Sequence, residues 1–153
     1  MAISSVLTNS FKAEMLRGRH NFDTSGATPA GSVFKIALYN SSADLGTTTT
    51  AYTTTEELAT ATGYTRPGNT LTNTGVGVST VTSFTDFSDT SWTSASFTAR
   101  GCLIYNTDVL SGFTTNRSVC TIDFGGNKTV SSGTFTIQFP ANNSSSAIIR
   151  ITS

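Results

Sequence analysis

Few side chains in this 153-residue sequence are of types that carry out catalysis. His20 is the one histidine, and no serine stands in a Gly-x-Ser-x-Gly elbow that would mark a nucleophile. Because acid–base and zinc chemistry commonly use histidine, a single one leaves little room for either. We expect His20, between Arg19 and Asn21, to make hydrogen bonds at the surface or at an interface.

The carboxylates are the other candidates for chemistry, and they are sparse. Asp86 and Asp89 lie three residues apart, but a calcium site takes about six to eight oxygens, usually from several acids. Asp123 begins an Asp-Phe-Gly triplet that has no Gly-rich loop or catalytic loop of a kinase beside it. We predict no enzyme, no cofactor and no metal site. An enzyme would need these acids to line a cleft with a raised pKa.

Charge and composition exclude several classes of partner. Nine basic residues balance nine acidic ones, and 21 Ser with 30 Thr make a third of the chain hydroxyl-bearing. No basic excess exists to neutralise phosphates, so we expect no nucleic-acid partner. No apolar run reaches the roughly 18 residues of a membrane span, so we expect no membrane partner. Residues 1–7 lack signal-peptide features, and we expect synthesis in a cytoplasm.

A short helix with one apolar stripe is predicted over residues 8–17. Leu7, Phe11 and Met15 are spaced four residues apart, which places them on one side of a helix, and Leu16 lies next to Met15. Thr8-Asn9-Ser10 offers N-cap oxygens, and Gly18 is a plausible C-cap. A helix this short is marginal alone. We predict that residues 1–20 form an N-terminal arm whose stripe contacts a partner; the alternative is that the helix packs on its own domain.

From residue 30 onward, apolar side chains recur at every second position. This period predicts antiparallel strands with one buried face. The segments concerned are Ser32–Tyr39, Ser96–Tyr105, Val119–Phe124, Gly133–Phe139 and Ala147–Ile151. Val76 and Val78 indicate a further strand, and the change of phase at Val81 and Phe84 suggests a bulge.

Polar turns separate the predicted strands. Gly125-Gly126-Asn127 and Ser111-Gly112 are typical of turns, the first of a hairpin, and Pro140–Ser146 of a loop. Residues 40–62 are ambiguous, because Glu56–Leu58 fits either a helical turn or a ragged edge strand. The pattern predicts a mainly β protein: an antiparallel β-sandwich or jelly-roll-like domain over residues 21–153, with a short N-terminal helix.

The cysteines and the tryptophan each leave two interpretations. Cys102 and Cys120 are expected to be buried thiols, although a disulfide is not excluded by sequence. Trp92 lies in the most aromatic window of the chain. A sandwich core needs large aromatic side chains, and a sugar-binding module needs exposed ones. We favour the core.

Short segments with a recognisable pattern cover nearly the whole chain: Leu7–Lys12, Glu14–Leu16, Phe34–Tyr39, Gly63–Thr65, Gly68–Leu71, Phe84–Phe87, Ser94–Gly101, Asp123–Gly125, Gly133–Thr136, Phe139–Ala141 and Ala147–Ile151. Together these segments resemble small virion structural proteins of tailed bacteriophages. Cys102 departs from the resemblance, since a small residue such as alanine is expected there. The resemblance implies a virion component that is not an enzyme.

The first hypothesis is therefore a capsid decoration (cement) protein that binds and bridges capsomers. Its partners would be the major capsid protein or other virion proteins, and it would form a homo-oligomer, a trimer or a dimer. It would be located in the virion, assembled in the host cytoplasm. The alternatives are a tail or head–tail junction protein and a carbohydrate- or receptor-binding β module.

Overall fold

The computed structural model describes residues 2–26, 30–109 and 115–153. These ranges contain β1 (Val6–Leu7), α1 (Asn9–Leu16), β2 (Phe34–Tyr39), β3 (Asn69–Thr70), β4 (Asn73–Ser79), β5 (Thr82–Phe87), β6 (Thr90–Asn106), β7 (Arg117–Ile137) and β8 (Ile149–Thr152). The strands form a five-stranded sheet in the order β1-β7-β6-β2-β3 and a three-stranded sheet in the order β4-β5-β8. All their pairings are antiparallel. The predicted antiparallel β-sandwich with one short helix is confirmed.

The long β6–β7 ladder is the centre of the five-stranded sheet. β6 has 17 residues and β7 has 21, and they pair from Thr90 opposite Ile137 to Asn106 opposite Arg117. The register shifts at four places along the ladder. Because bulges bend a strand and increase its twist, strands of this length can follow a curved domain surface.

The predicted hairpin at Gly125-Gly126-Asn127 is wrong. These residues lie inside β7, where a large bulge places Phe124–Asn127 opposite Arg100 alone. Gly125 has φ of 72°, in the left-handed region that glycine adopts freely. The two glycines therefore permit a bulge and not a chain reversal, and the predicted strands on either side of them are one strand.

The change of phase near Val81 marks a hairpin instead of the predicted bulge. β4 ends at Ser79 and β5 begins at Thr82, so Thr80 and Val81 form a two-residue connection in which Thr80 has φ of 54°. Positive φ at this place matches the right-handed twist of the flanking strands. The bulge of this sheet lies earlier, between Asn73 and Val76. The predicted turn at Ser111-Gly112 lies outside the described residues.

Residues 40–62 cover the second face of the five-stranded sheet. One face of the sheet belongs to the main core, and the other carries Tyr39 and Leu103, which pack with Ala43 and Leu45. The expectation that Ser32–Tyr39 is half-buried is therefore wrong, because β2 is buried on both faces. Of the two elements considered for Glu56–Leu58, the structure favours the ragged edge strand. Glu57 forms an isolated antiparallel bridge with Tyr39 of β2, and the Leu58 N–H donates to the Leu38 carbonyl at 2.9 Å.

The N-terminal segment is built into the same domain. Helix α1 is confirmed, with Thr8 as its N-cap: Thr8 Oγ1 accepts the Phe11 N–H at 3.3 Å. Val6 in β1 pairs with Thr121 in β7. Residues 2–20 thus share the sheet and the core of the residues that follow, which differs from the separate arm predicted over residues 1–20.

A buried carboxylate fastens the covering segment to β2. Glu57 accepts the hydroxyl of Tyr52 at 2.6 Å and that of Tyr64 at 2.7 Å, and Arg66 Nε lies 3.3 Å from Glu57 Oε2. The Tyr64 oxygen in turn accepts the Leu38 N–H of β2 at 3.0 Å. Burial, together with the Glu57 carboxylate, raises the pKa of both phenols, so that they act as donors.

We expect Glu57→Ala to lower the free energy of unfolding by about 3 kcal/mol, because it leaves two phenol donors without their acceptor. Urea denaturation measures the change. Thr55→Ala, an exposed position in the same segment, is the matched control and should change stability by less than about 0.5 kcal/mol. Equal stabilities of the two variants would contradict the role of Glu57.

Candidate functional site

The three-stranded sheet exposes apolar side chains at its outer end. Val78, Ser83 and Ile151 form one cross-strand row, and Val76 lies on the same face. Val76, Val78, Ile151 and the turn residue Val81 are between 59% and 73% exposed. We call these four residues the outer apolar patch. Adjoining apolar side chains at a surface mark sites of contact with other molecules.

A mainly apolar cavity and a more polar one adjoin each other near the edge strands β1 and β8. A cavity of about 720 Å³ shares Leu7 and Ile148 with a neighbouring cavity of about 470 Å³, and we call the two together the edge channel. Val6 and Leu7 of β1 line the larger cavity, and Arg150 and Thr152 of β8 line the smaller one. Both strands are edge strands of their sheets. Most of the channel floor consists of β7 and the residues that follow it: Cys120, Ile122, Phe124, Phe135, Ile137 and Phe139.

The charged residues that line the edge channel are both cations. They are Lys128 on β7 and Arg150 on β8, and both are exposed. The Arg150 guanidinium donates to the Ser145 carbonyl. The ion pairs of the described residues include neither cation. The channel therefore combines an apolar floor with a positively charged rim.

Asp86 and Asp89 hold the channel wall in place. Asp89 Oδ1 accepts the Phe139 N–H at 2.8 Å, and Asp86 Oδ2 accepts the Ile148 N–H at 3.0 Å. Burial raises the pKa of Asp86. Neither acid lines the channel. These carboxylates, which sequence spacing offered as metal or catalytic candidates, fasten backbone.

Asp123, the third acid considered for catalysis, is held in a surface pair. Arg100 Nε donates to Asp123 Oδ1 at 2.7 Å, and its Nη2 donates to Oδ2 at 3.0 Å. The guanidinium lowers the pKa of the carboxyl. The raised pKa expected of a catalytic acid is therefore not found at Asp123.

His20 belongs to a buried polar cluster beneath helix α1. The residue is 6% exposed and its side chain is fully buried, so the prediction of a surface residue is wrong. His20 Nε2 lies 2.8 Å from Glu14 Oε2, and Arg117 Nε donates to Glu14 Oε1 at 2.7 Å. Glu14 thus joins the helix to His20 and to the first residue of β7.

The hydrogen bonds of Asn106 determine the tautomer of His20. The Asn106 Oδ1 accepts the Asp108 N–H at 2.9 Å, so its Nδ2 is the atom that faces His20 Nδ1 at 3.1 Å. Nδ1 must then accept, and the ring proton lies on Nε2, which donates to Glu14. Burial lowers the pKa of His20, and protonation of Nδ1 would set two donors against each other.

The structure separates the four predicted contact residues. Phe11 is 2% exposed and belongs to the core, while Leu7 and Met15 are partly buried against that core. Leu16 is 91% exposed. The helix therefore packs on its own domain, the alternative that the sequence left open, and Leu16 alone of the four presents most of its side chain to solvent.

Trp92 is a core residue, as favoured from the sequence. It is 4% exposed, and its ring centroid lies 6.1 Å from that of Tyr64 and 6.0 Å from that of Phe135. Cys102 and Cys120 are free, buried thiols. Burial raises the pKa of Cys120 to about 12, which keeps it protonated near neutrality.

The described part of the chain offers neither a cluster of metal ligands nor a helix that could span a membrane. Within residues 2–26, 30–109 and 115–153, no three His, Cys, Asp or Glu side chains cluster as metal ligands would. The described helix falls short of the length and apolarity needed to cross a bilayer.

Comparison of the chain with protein-family models, with curated proteins and with solved structures finds no match.

The sequence predicts the strand that carries Val76 and Val78, but it does not predict that these two side chains are exposed. The available signal was the Gly75–Val78 alternation, in which valines supply every side chain of one face. The edge channel had no such signal, because it arises from the order of the strands.

The buried position of Trp92 predicts its fluorescence. We expect blue-shifted emission and weak quenching by iodide in the folded protein, because neighbouring rings exclude water from the indole. Unfolding in guanidinium should move the emission to the red. Red emission and strong quenching in the folded state would contradict this environment and restore Trp92 as a candidate sugar platform.

The His20 cluster predicts a dependence of stability on pH. Below about pH 6.5 the imidazole of the unfolded chain binds a proton that folded His20, with its lowered pKa, does not. The free energy of unfolding should therefore fall as the pH falls, by at most about 1.4 kcal/mol per pH unit from this group. Glu14, Arg117 and Asp108 are the charged groups that act on the ring.

His20→Gln keeps a donor toward Glu14 but takes up no proton. We expect the loss of stability between about pH 7.5 and about pH 5.5 to be smaller in this variant, by about 1 kcal/mol. Urea denaturation of both proteins at both pH values measures the difference. Identical pH dependence of the variant and the natural chain would contradict the assignment.

Proposed function

We propose that the protein is a structural component of a tailed-bacteriophage virion with no enzymatic activity: a capsid decoration protein that binds and bridges capsomers. The outer apolar patch is the observation that carries this proposal. It places Val76, Val78 and Ile151 at the exposed outer end of one face of a hydrogen-bonded sheet, where a protein partner can bury them. The resemblance of many segments to small virion proteins supplies the class of particle.

The rest of the surface suits broad, weak contact with protein neighbours. Cross-strand hydroxyl pairs join Ser91 to Thr136 and Thr98 to Thr129, each at 2.8 Å, on an exposed part of the β6–β7 ladder. A neutral hydroxyl surface costs less to desolvate than a charged one. Many copies on one particle also reinforce a weak single contact.

The proposed partner is the major capsid protein or another virion protein, and the chain acts as a trimer or a dimer. The virion is the proposed location, after assembly in the host cytoplasm. A tail or head–tail junction protein is the second candidate, because a ring component would use the same kind of patch. Copy number separates the two: hundreds of copies per particle indicate the shell, and about six to twelve indicate a ring.

Replacement of Val76 and Val78 by serine tests the role of the patch. We expect the double variant to fold, because both side chains are already largely in water, and to be depleted at least about tenfold from purified particles. Quantitative mass spectrometry of particles assembled with the variant chain gives the copy number.

Val109→Ser is the matched control, since Val109 is an exposed valine that is not part of the patch. This variant should be incorporated at the natural level. Normal incorporation of the double variant would refute the patch as the contact surface, and absence of the natural chain from particles would refute the virion role itself.

A further inference from the structure

We propose that the edge channel receives an extended segment of a partner polypeptide, with apolar residues at alternate positions and acidic residues at its ends. The segment lies along β8 as an added strand. This inference deepens the proposed function and rests on it, since the partner is then a neighbouring protein of the particle. It assigns that partner a chemistry that the outer apolar patch does not define.

The first argument is the free edge of β8. Among the strands of the described residues, β8 pairs with β5 alone, and its residues Arg150 and Thr152 line the smaller cavity. The edge of β1 is partly covered, because the flanking Ser4 and Asn9 N–H groups donate to carbonyls of residues 45 and 47. An edge strand offers N–H and C=O groups at alternate positions. An extended peptide satisfies these groups periodically, whereas an acyl chain satisfies none of them.

The second argument is the apolar floor of the larger cavity, which adjoins the smaller one at Leu7 and Ile148. Ile122 and Phe124 lie two residues apart on β7, and Phe135, Ile137 and Phe139 continue the same spacing farther along the chain. All five side chains are only partly buried, although they pack against the main core. An added strand projects every second side chain onto one face, and those side chains would complete the burial of the floor.

The third argument is the charge at the rim. Lys128 and Arg150 are the charged residues of the channel lining, and neither forms one of the described ion pairs. Among the residues that the structure describes, no acidic one lines either cavity. A segment with carboxylates at its ends would therefore gain attraction at this rim, and one with lysines would be repelled.

A pair of synthetic peptides tests the inference. The first is acetyl-Asp-Val-Thr-Val-Thr-Val-Glu-amide, and the second has lysine in place of both acidic residues. We expect the acidic peptide to bind the full chain, with chemical-shift changes in the amide resonances of Ile149–Thr152. The lysine peptide should bind about tenfold more weakly or worse at low salt. Nuclear magnetic resonance titration measures both affinities.

Charge reversal at the rim provides the matched variants. Lys128→Glu should weaken the acidic peptide about tenfold and strengthen the lysine peptide, because it inverts the rim charge. Lys128 is exposed, so this variant should fold. Lys12→Glu makes the same charge change at an exposed position of α1, away from the channel, and should leave both affinities unchanged.

Several results would overturn the inference. Absence of binding by the acidic peptide, or equal binding to the Lys128→Glu variant, removes the strand site. Binding of decanoate in place of the peptide, with the same dependence on Lys128, assigns the channel to an acyl anion. Sedimentation of the peptide-free chain as a dimer that Lys128→Glu dissociates assigns it to a second copy.

The two proposals fail separately. If the acidic peptide does not bind while particle incorporation still depends on Val76 and Val78, the channel assignment falls and the virion role stands. If the peptide binds as expected while the chain is absent from particles, the channel remains a strand-binding site and the virion role falls.

Discussion

Pairing of β6 with β7 is the interaction on which the rest of the structure depends. β2 attaches to one side of this ladder and β1 to the other, and helix α1 contacts β7. Side chains of the ladder also reach the cores on both faces of the five-stranded sheet. Ile104 belongs to the main core, and Leu103 belongs to the core under residues 40–62. Strands of such length stay paired through several register shifts because bulges absorb the curvature.

Buried acids fasten the segments that strand pairing does not hold. Three of the nine acidic residues are buried: Glu14, Glu57 and Asp86. Glu14 joins the helix to β7, Glu57 joins the covering segment to β2, and Asp86 fixes the start of β8. A buried carboxylate is costly unless donors surround it, and each of these accepts at least two hydrogen bonds. Although the chain has few charged residues, three of its acids hold separate segments of the fold together.

Local patterns predict the elements of this protein better than their connections. The period-two runs give the strands, and Thr8 with the apolar stripe gives the helix, because both signals act over a few residues. The hairpin expected at Gly125 fails because glycine permits a bulge as readily as a turn. The environment of His20 is invisible in sequence, since Asn106 lies 86 residues away. The edge channel is missed for the same reason: strand order creates it.

The two thiols stand at different depths of the sandwich, and this makes them separate reporters of its motion. Cys102 on β6 is fully buried, while Cys120 on β7 is 2% exposed and forms part of the channel floor. An aqueous alkylating reagent reaches Cys102 only when the layers part, so its modification rate follows global opening. Cys120 reacts through smaller excursions of the channel wall, and any occupant of the channel would slow that reaction without altering the rate at Cys102.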